Sequence, residues 1–487
     1  MELPPAFAHY TRSLLGDDDY ARLALALREE PPVSLRLNAL KPLPATPAFL
    51  SVPWAATGRY LDRRLTFTFD PLFHAGCYYV QEASSMFVEQ AVRQYVSGPV
   101  VALDLCAAPG GKSTHLRGLL PQGSLLVSNE LVRDRSYVLA ENLTKWGHPD
   151  VVVTGNDPAD FQTLRTRFDL ILADVPCSGE GMFRKDDTAV KEWSPRNVEA
   201  CQERQRRIVA HIWPSLKPGG LFIYSTCTYN KLEDEENVRW IVDRWGAEPL
   251  PIATDEAWGI AGNLLDNDEA MPVYRFFPHR TRGEGFFLAL LRKPDDGGEE
   301  EENEKEENRP SRQKAGKRKT ERSDGYPTLV SKETIRIAES WLMAEAADTY
   351  ALTVEGNKLN ALAQRHAATV DLLRRHLRVI QAGVGVGEAR GKDLIPAHAL
   401  AMSARLLDKE AFANVEVSYG QAIDYLRKEA IALPADTPRG YLLLCYQGVP
   451  LGFVKNVGNR ANNLYPAEWR IRSGYLPAEV STISSPS

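Results

Sequence analysis

The sequence predicts an α/β protein built on a doubly wound, largely parallel sheet. Strand and helix signals alternate regularly between residues 100 and 225. A short apolar run in this segment passes through a glycine-rich turn into a helix, and acidic residues close several of the strands. Such alternation places helices on both faces of a parallel sheet and brings ligands to the carboxyl ends of its strands.

The segment VVALDLCAAPGGKSTHL, residues 100–116, organises this prediction. Val100 to Leu105 is apolar and rich in β-branched residues, which predicts a buried strand, and a helix follows from near Lys112. The helix N-terminus would bring backbone N–H groups and the positive end of the helix dipole close to a ligand. Asp104 ends the strand at the ligand-binding crevice, so we expect this segment to hold a cofactor.

The same residues narrow the choice of cofactor. A phosphate-binding P-loop needs glycine six residues before its lysine, but Cys106 stands there, and the strict dinucleotide fingerprint is also absent. Asp104 and Glu130 close consecutive strands and suit the hydroxyls of a ribose. A purely structural glycine turn in another kind of α/β enzyme stays open on this segment alone.

Composition sets the broad class. The 487 residues suggest about three domains, and a hydrophobic content of 44% can bury real cores. The formal net charge of −6 neither supports nor excludes RNA, so any RNA contact must come from local basic patches.

The spacing of the cysteines and the character of the N-terminal residues predict the cellular compartment. The six cysteines are widely spread without CxxC or paired histidines, which argues against a zinc site, any other metal centre and a disulfide framework. No secretory signal or membrane-spanning stretch is recognisable. We expect a cytoplasmic protein with no membrane contact.

Residues 1–75 predict a small α+β module, with a helix over Tyr20 to Arg28 and a strand in VSLRLNAL. Its basic residues could contact phosphates, although an ordinary solvated surface is favoured on composition. These residues are Arg36, Lys41, Arg59, Arg63 and Arg64.

Residues 76–293 predict the central domain, which begins with an amphipathic helix over residues 77–96. Further helices are expected over residues 133–146 and 196–216. Strands are expected over residues 124–130, 150–154, 168–174 and 221–225, with a final strand over 283–291 at the sheet edge.

Residues 294–325 join an acidic and a basic block and predict a disordered linker. Beyond it, residues 326–487 predict a helix over 329–343, strands and turns over 372–388, and a hairpin turning at Gly448. The final loop combines cationic, amide and aromatic side chains suited to RNA, though they could equally fold a small β-barrel. They are Lys455, Arg460, Asn462, Asn463, Tyr465, Trp469 and Arg470.

Two cysteines follow neighbouring predicted strands. The strand FDLILAD ends at Asp174 and leads into Val175-Pro176-Cys177, and the strand LFIYS leads into Thr226-Cys227-Thr228. A single buried cysteine is usually inert. Two cysteines at one sheet edge, beside a carboxylate and a cofactor site, predict thiolate chemistry.

At this point three motifs resemble a known family. ALDLCAAPGGKST, DVPCSGEGMFRKD and YSTCTYNKLEDEEN are similar to the Sun-type S-adenosylmethionine-dependent RNA 5-cytosine methyltransferases. YVQEASSM, KPGGLFIYSTCT and GNRANNLYPAEWRIR resemble its ribosomal RNA small subunit methyltransferase F branch. The resemblance covers nearly the whole chain outside the linker.

The resemblance implies a class I methyltransferase (Rossmann-like) sheet between an RNA-binding module, residues 1–75, and an RNA-binding region, residues 326–487, of which 396–487 is PUA-like. It implies methyl transfer from S-adenosyl-L-methionine to carbon 5 of cytosine in RNA, with small-subunit (16S) ribosomal RNA as the favoured partner and a monomeric enzyme. Glu130 would bind the ribose, and Asp157 would flank the adenine, although GND departs here from the family's usual pattern. The methionine end would lie against Cys106, Ala107, Ala108, Pro109, Gly110, Gly111 and Lys112.

Catalytic roles follow from the same resemblance. Cys227 corresponds to the nucleophile, which attacks carbon 6 as a thiolate, and Cys177 to the cysteine that helps release the product. Asp174 lies beside cofactor and base, and Lys112 supplies a positive field. From their position after the cysteine loop, Arg184, Lys185 and Lys191 could hold phosphates that flank an unstacked target base, although a solvated loop is also open.

Two other functions compete with this hypothesis. A non-catalytic RNA-binding or ribosome-assembly factor would keep the fold without the chemistry, but both cysteines and both cofactor carboxylates are present. A methyltransferase acting on protein or a small molecule commonly carries an Asn-Pro-Pro-Tyr type motif, where this chain has Asp-Val-Pro-Cys.

Overall fold

The computed structural model describes residues 2–44, 48–265, 271–295, 330–458, 460–474 and 480–483. The predicted linker lies outside the described residues apart from 294 and 295. Within the described ranges, no helix combines the length and apolar character needed to cross a membrane.

The α-helices, in chain order, are α1 (Pro5–Leu15), α2 (Asp17–Ala26), α3 (Pro71–His74), α4 (Val88–Tyr95), α5 (Gly111–Leu119), α6 (Arg133–Trp146), α7 (Asp187–Glu192), α8 (Pro195–Ile212), α9 (Glu235–Trp245), α10 (Lys332–Glu339), α11 (Ala344–Ala347), α12 (Ala367–His376), α13 (His398–Met402) and α14 (Tyr419–Leu426).

The strands are β1 (Val33–Leu37), β2 (Leu50–Ser51), β3 (Gly58–Leu61), β4 (Tyr78–Val80), β5 (Val101–Asp104), β6 (Leu125–Asn129), β7 (Val151–Thr154), β8 (Phe168–Asp174), β9 (Leu216–Thr226), β10 (Glu248–Pro249), β11 (Val273–Phe276), β12 (Phe286–Arg292), β13 (Tyr350–Glu355), β14 (Lys358–Ala363), β15 (Val379–Ala382), β16 (Val384–Arg390), β17 (Asp393–Pro396), β18 (Ala413–Glu416), β19 (Gly440–Tyr446), β20 (Val449–Asn456) and β21 (Ala461–Asn463).

The N-terminal segment forms two helices and an antiparallel sheet in the order β2-β3-β1-β4. Leu35 of β1 pairs with Val80 of β4, so this sheet extends past residue 75. The helix predicted over residues 77–96 is therefore wrong at its start, and the helical part is a 3₁₀ turn over Ser84–Phe87 followed by α4. Tyr78-Tyr79-Val80 consists of aromatic and β-branched residues, which favour a strand.

Arg36 connects this N-terminal sheet to helix α5, which follows the first strand of the central sheet. The guanidinium is buried, contrary to the solvated surface that composition favoured. It donates to Gln81 Oε1 at 2.9 Å and to Thr114 Oγ1 of α5 at 2.5 Å, and it lies over the Trp146 ring. Burial lowers the pKa of Arg36 to about 9. The N-terminal segment thus fixes the first turns of α5.

The central sheet confirms the predicted doubly wound class. Strands β7, β6, β5, β8 and β9 are neighbours in that order, and all four pairings are parallel. Alternate residues face two separate cores: Leu103 and Ile171 pack with α8 and α9, while Ala102 and Leu170 pack with α4 and α5. Both faces are covered, so ligands have access at the carboxyl ends of the strands.

Both edges of this sheet differ from expectation. β12 pairs with β9 on one side and with β10 and β11 on the other, so the predicted edge position of this strand is wrong. At the opposite edge, β15 pairs antiparallel with β7. The C-terminal region therefore supplies the last strand of the central sheet. Residues 372–376, expected among strands and turns, belong to α12 instead.

The C-terminal region folds into two further sheets, in the orders β13-β14-β16-β17 and β18-β19-β20-β21. The predicted hairpin joins β19 and β20, and Gly448 has a φ of +75° at its turn. Tyr465 is buried against Tyr425, Asn463 bonds the Tyr425 carbonyl, and Lys455 pairs with Asp393. Tyr465 is inaccessible, so its predicted contact with RNA is wrong, whereas Lys455 keeps 35% of its side chain exposed.

Candidate active site

The carboxyl ends of the parallel strands surround a cavity of about 730 Å³. This volume lies within the usual range for small-molecule and cofactor sites. Seven of the twelve site residues named from the sequence line the cavity: Cys106, Ala108, Glu130, Asp157, Asp174, Cys177 and Cys227. The other five lie in the turn before α5 or in its first two residues and do not line the cavity in the described part of the chain: Ala107, Pro109, Gly110, Gly111 and Lys112.

The two cysteines meet because their strands are parallel neighbours. Asp174 of β8 pairs in register with Ser225 of β9, so the residues that follow each strand emerge side by side. Cys177 Sγ lies 3.0 Å from Cys227 Sγ, and the Cys227 backbone N–H donates to Cys177 Sγ at 3.4 Å. Both are free thiols. The hydrogen bond with Cys227, together with burial, raises the pKa of Cys177 well above its usual value. Cys177 therefore holds its proton.

Asp174 carries one partner on each carboxylate oxygen. Lys112 Nζ lies 2.8 Å from Oδ2, and Ser225 Oγ donates to Oδ1 at 2.8 Å. Burial alone would lower the pKa of Lys112, but Asp174 outweighs it and raises the pKa above its usual value. Lys112 therefore reaches the site through Asp174.

Asp104 lies behind the cavity, so its expected contact with a ribose is wrong. The side chain is fully buried and accepts a hydrogen bond from Ser113 Oγ at 2.6 Å. Burial raises the pKa of Asp104 to about 7. Its role is to join β5 to the start of α5.

Replacing Asp104 by Asn should remove a pH-dependent cost. Because the folded-state pKa lies above the unfolded value of 3.8, the stability contributed by this carboxyl is greatest below pH 4 and falls as the pH rises through 7. The difference in unfolding free energy, Asp104→Asn minus wild type, should therefore become more positive by roughly 2–4 kcal/mol between pH 4 and pH 8. Denaturant unfolding at both pH values measures the change. An equal difference at the two pH values would contradict it.

Glu130 and its neighbours shape the opposite wall of the cavity. Glu130 Oε1 accepts from the Val132 N–H at 2.9 Å, and Arg135 lies 3.6 Å from Oε2. Asp157 caps the short 3₁₀ turn that begins at Pro158. Asn129, which sequence reasoning missed, donates to the carbonyls of Leu105 and Asn156 and thereby joins the ends of three strands.

A buried acidic layer behind the cysteines was also missed. Glu233 accepts from the Ser178 N–H at 3.0 Å and from Gln205, while Glu180 accepts from the Tyr229 N–H at 2.7 Å. These contacts tie the loop after Cys177 to the loop after Cys227. The only sequence signal is that acidic residues follow both cysteine motifs, and such residues are usually expected to be exposed to solvent.

Arg275 neutralises part of this layer. Its guanidinium lies 3.0 Å from Asp234 and also pairs with Glu235, with all three side chains buried. Asp234 in turn accepts from Thr226 Oγ1 at 2.5 Å and Thr228 Oγ1 at 2.9 Å, the residues on either side of Cys227. Arg275 thus supports the backbone that presents the cysteine.

The cationic rim differs from the predicted one. Arg184 is buried, bonds Glu284 at 3.1 Å and donates to the Gly283 carbonyl, so its predicted contact with phosphate is wrong. Lys185 pairs with the same carboxylate. The cavity is lined instead by Arg204, Arg207 and His211 of α8. The helix signal was visible in the sequence, but which face met the cavity was not.

The chain matches three family models. Residues 98–292 match "16S rRNA methyltransferase RsmB/F", residues 3–83 the "N-terminal domain of 16S rRNA methyltransferase RsmF", and residues 412–471 the "Methyltransferase RsmF PUA domain". The ribosomal RNA small subunit methyltransferase F of Serratia proteamaculans is 30% identical over 97% of this chain and 98% of its own length. That of Erwinia tasmaniensis is 29% identical over the same shares.

A solved structure shares the fold. NSun6 from Pyrococcus horikoshii is 21% identical, with a TM-score of 0.50 over 60% of this chain and 99% of that one. The sheet, its cavity and the matched models define an RNA methyltransferase. The chain belongs to the 16S rRNA methyltransferase RsmB/F family, and its terminal domains match the F branch. The resemblance inferred from the sequence motifs is confirmed.

Proposed function

We propose that this protein transfers a methyl group from S-adenosyl-L-methionine to carbon 5 of cytosine in small-subunit (16S) ribosomal RNA, through a covalent bond between Cys227 and carbon 6. The observation that carries the proposal is the 3.0 Å approach of Cys177 Sγ and Cys227 Sγ beside Asp174 in one cavity. The names of the relatives support the choice of RNA.

The cavity fits the proposed methyl donor. Glu130 offers a carboxylate for ribose hydroxyls, Asp157 lies farther along the same wall, and Cys106 and Ala108 leave room at the end of β5. Burial raises the pKa of the Cys106 thiol, so this side chain stays neutral against the methionine end. When bound, the cofactor supplies an electrophilic methyl carbon.

Cys227 makes carbon 5 reactive. Its thiolate forms a bond to carbon 6, and the electron pair of the 5,6 double bond becomes available at carbon 5 for attack on the methyl carbon. The bound cofactor would give up its methyl group to carbon 5 and would keep the electron pair of the carbon–sulfur bond. Cys177, which keeps its proton, donates a hydrogen bond that stabilises the neighbouring thiolate.

Product release needs a proton acceptor. Loss of the carbon 5 proton returns the electron pair to the ring, re-forms the double bond and expels Cys227 as a thiolate. Once Cys227 is bonded to carbon 6, the hydrogen bond that held the proton on Cys177 is lost. We assign to Cys177 the release of its own proton to solvent and, as a thiolate, the uptake of the carbon 5 proton. Asp174, held by Lys112 and Ser225, accepts from the amino group of cytosine, and the ammonium of Lys112 balances charge developing on the ring.

The target cytosine must be unstacked to reach the two cysteines inside the cavity. It therefore enters from an unpaired or opened segment of the RNA. Arg204 and Arg207 on the wall of the cavity are placed to contact flanking phosphates. A non-catalytic assembly factor would need neither the paired thiols nor the carboxylate beside them.

RNA containing 5-fluorocytosine tests the covalent step. Fluorine at carbon 5 cannot leave as a proton does, so wild-type enzyme with S-adenosyl-L-methionine should accumulate a denaturation-stable protein–RNA adduct, visible as a shifted band in a denaturing gel. Cys227→Ala should form none, and Cys201→Ala, which alters a buried thiol on α8 outside the cavity lining, should trap as wild type does. An equal yield of adduct from Cys227→Ala would overturn the assignment.

A further inference from the structure

A second cavity, of about 1000 Å³, lies where the C-terminal region meets the central sheet. Its walls come from β14, β15 and β16, from the start of α13, and from the segment that contains Trp469. None of the proposed catalytic residues line it.

One wall of this cavity is bare backbone. Gly385 of β16 lines the cavity without a side chain, whereas the side-chain direction of Gly387 is filled by Ile395, Leu394 and Trp341. A Cβ atom added at Gly385 would meet Ala397 Cβ at 3.6 Å and nothing closer. At Gly385 the strand can therefore be approached to an ordinary van der Waals distance.

Aromatic and polar groups face this wall. The His398 and Trp469 rings meet edge to face with centroids 5.2 Å apart, and both residues line the cavity. Both ring nitrogens of His398 are shielded from solvent and neither has a hydrogen-bond partner in the described residues. Burial, with Lys145 and Lys41 nearby, lowers the pKa of His398 to about 3. The ring is therefore neutral, and its Nδ1 lies against Gly452.

The cavity is cationic although the chain is acidic. Five lining cations against two lining carboxylates give a net +3, compared with −6 for the whole chain. Arg374 pairs with Glu355 and Arg390 with Glu388. Lys358 and Arg378 form no ion pair in the described part of the chain and are exposed. The surplus charge suits an anionic ligand.

The second cavity adjoins the first through one short segment. The Arg378 backbone N–H donates to Asn156 Oδ1 at 2.9 Å, and its carbonyl accepts from the Gly155 N–H at 3.0 Å. Asp157, which follows Asn156 in the chain, lines the active-site cavity. One polymer can therefore reach both cavities.

We propose that the second cavity binds an unpaired nucleotide of the RNA substrate, at a distance along the strand from the target cytosine. The base lies against Gly385 of β16 and the Trp469 ring, and Lys358 and Arg378 contact the adjoining phosphates. Stacking surfaces combined with cations are the usual means of holding single-stranded RNA. The identity of the polymer as RNA rests on the proposed function, whereas the position of the site does not.

Filling the cavity tests the proposal on the full chain. Binding of a fluorescently labelled, unpaired oligoribonucleotide is measured by anisotropy for wild type, Gly385→Leu and Gly420→Leu. Gly420 is exposed, has no neighbour within 4 Å and lies outside the cavity, so it is the matched control. Gly385→Leu should weaken binding about tenfold, the order expected for one lost stacked base, with kcat at saturating RNA unchanged. Gly420→Leu should bind as wild type does.

A charge variant covers the case in which Gly385→Leu fails to fold. Lys358→Gln should reduce the slope of log Kd against log salt by about 0.7, the contribution of one contact to single-stranded nucleic acid. Lys392→Gln, an exposed lysine outside the cavity, should keep the wild-type slope. Unchanged RNA affinity in Gly385→Leu, or unchanged salt slope in Lys358→Gln, overturns the proposal. Failure of the chemistry shows separately, as RNA binding without a 5-fluorocytosine adduct.

Discussion

Replacing Cys227 by Ala is expected to reduce methyl transfer to RNA by at least about 10³-fold, because the neighbouring thiol, Cys177, keeps its proton and is assigned to product release. The substitution removes one half-buried sulfur atom whose backbone is held independently by Thr226 and Thr228. Fold and cofactor binding should therefore stay close to wild type. Single-turnover transfer of a radiolabelled methyl group measures the rate, and calorimetric cofactor binding verifies the fold.

Cys177→Ala provides the matched comparison on the other sulfur. Here the nucleophile remains, so the adduct should form on ordinary RNA, but its breakdown should slow because the proposed proton acceptor is gone. A denaturation-stable complex without fluorinated RNA is the expected readout. If Cys227→Ala methylates RNA at the wild-type rate, or if the two variants behave identically, the division of roles is wrong.

Replacing Arg275 by Met should lower the free energy of unfolding by about 3–5 kcal/mol, since it leaves two buried carboxylates without their cation. Asp234 and Glu235 are both inaccessible to solvent and both pair with this guanidinium. Loss of the pair should also loosen the loop around Cys227. Chemical denaturation followed by tryptophan fluorescence measures the stability.

Arg292→Met is the control for charge removal alone. Arg292 pairs with Glu248 at 3.3 Å, but 41% and 62% of the two side chains are exposed. Such surface pairs contribute about 0–1 kcal/mol. Similar losses from Arg275→Met and Arg292→Met would show that the buried cluster does not hold the fold together.

The parallel sheet and the meeting of the two cysteines could be predicted because both follow from local pattern. Apolar runs, turn residues and helix periodicity lie within a few residues of each other, and parallel strands deliver their carboxyl ends to one edge. Cys177 and Cys227 therefore come to the same sheet edge when β8 lies beside β9, and the pairing of Asp174 with Ser225 brings them side by side. The distance between their sulfur atoms could be obtained only from the structure.

Features that depend on distant partners could not be predicted in this way. Asp104 ends a strand as a ligand-binding carboxylate would, yet Ser113 takes its hydrogen bond on the buried side. Arg36 and Arg184 look like surface charges until their partners, far along the chain, are known. β15 has no signal that it pairs with β7, more than two hundred residues earlier.

That pairing makes the enzyme indivisible. A shortened chain ending after residue 293 would contain every proposed catalytic group, yet β7 would present a row of unpaired peptide groups between apolar Val151, Val152 and Val153. Open edges of this kind recruit strands from other molecules and lead to aggregation. Exchange of the C-terminal region for another domain, in evolution or in the laboratory, is thus constrained. The replacement must supply a strand that pairs with β7.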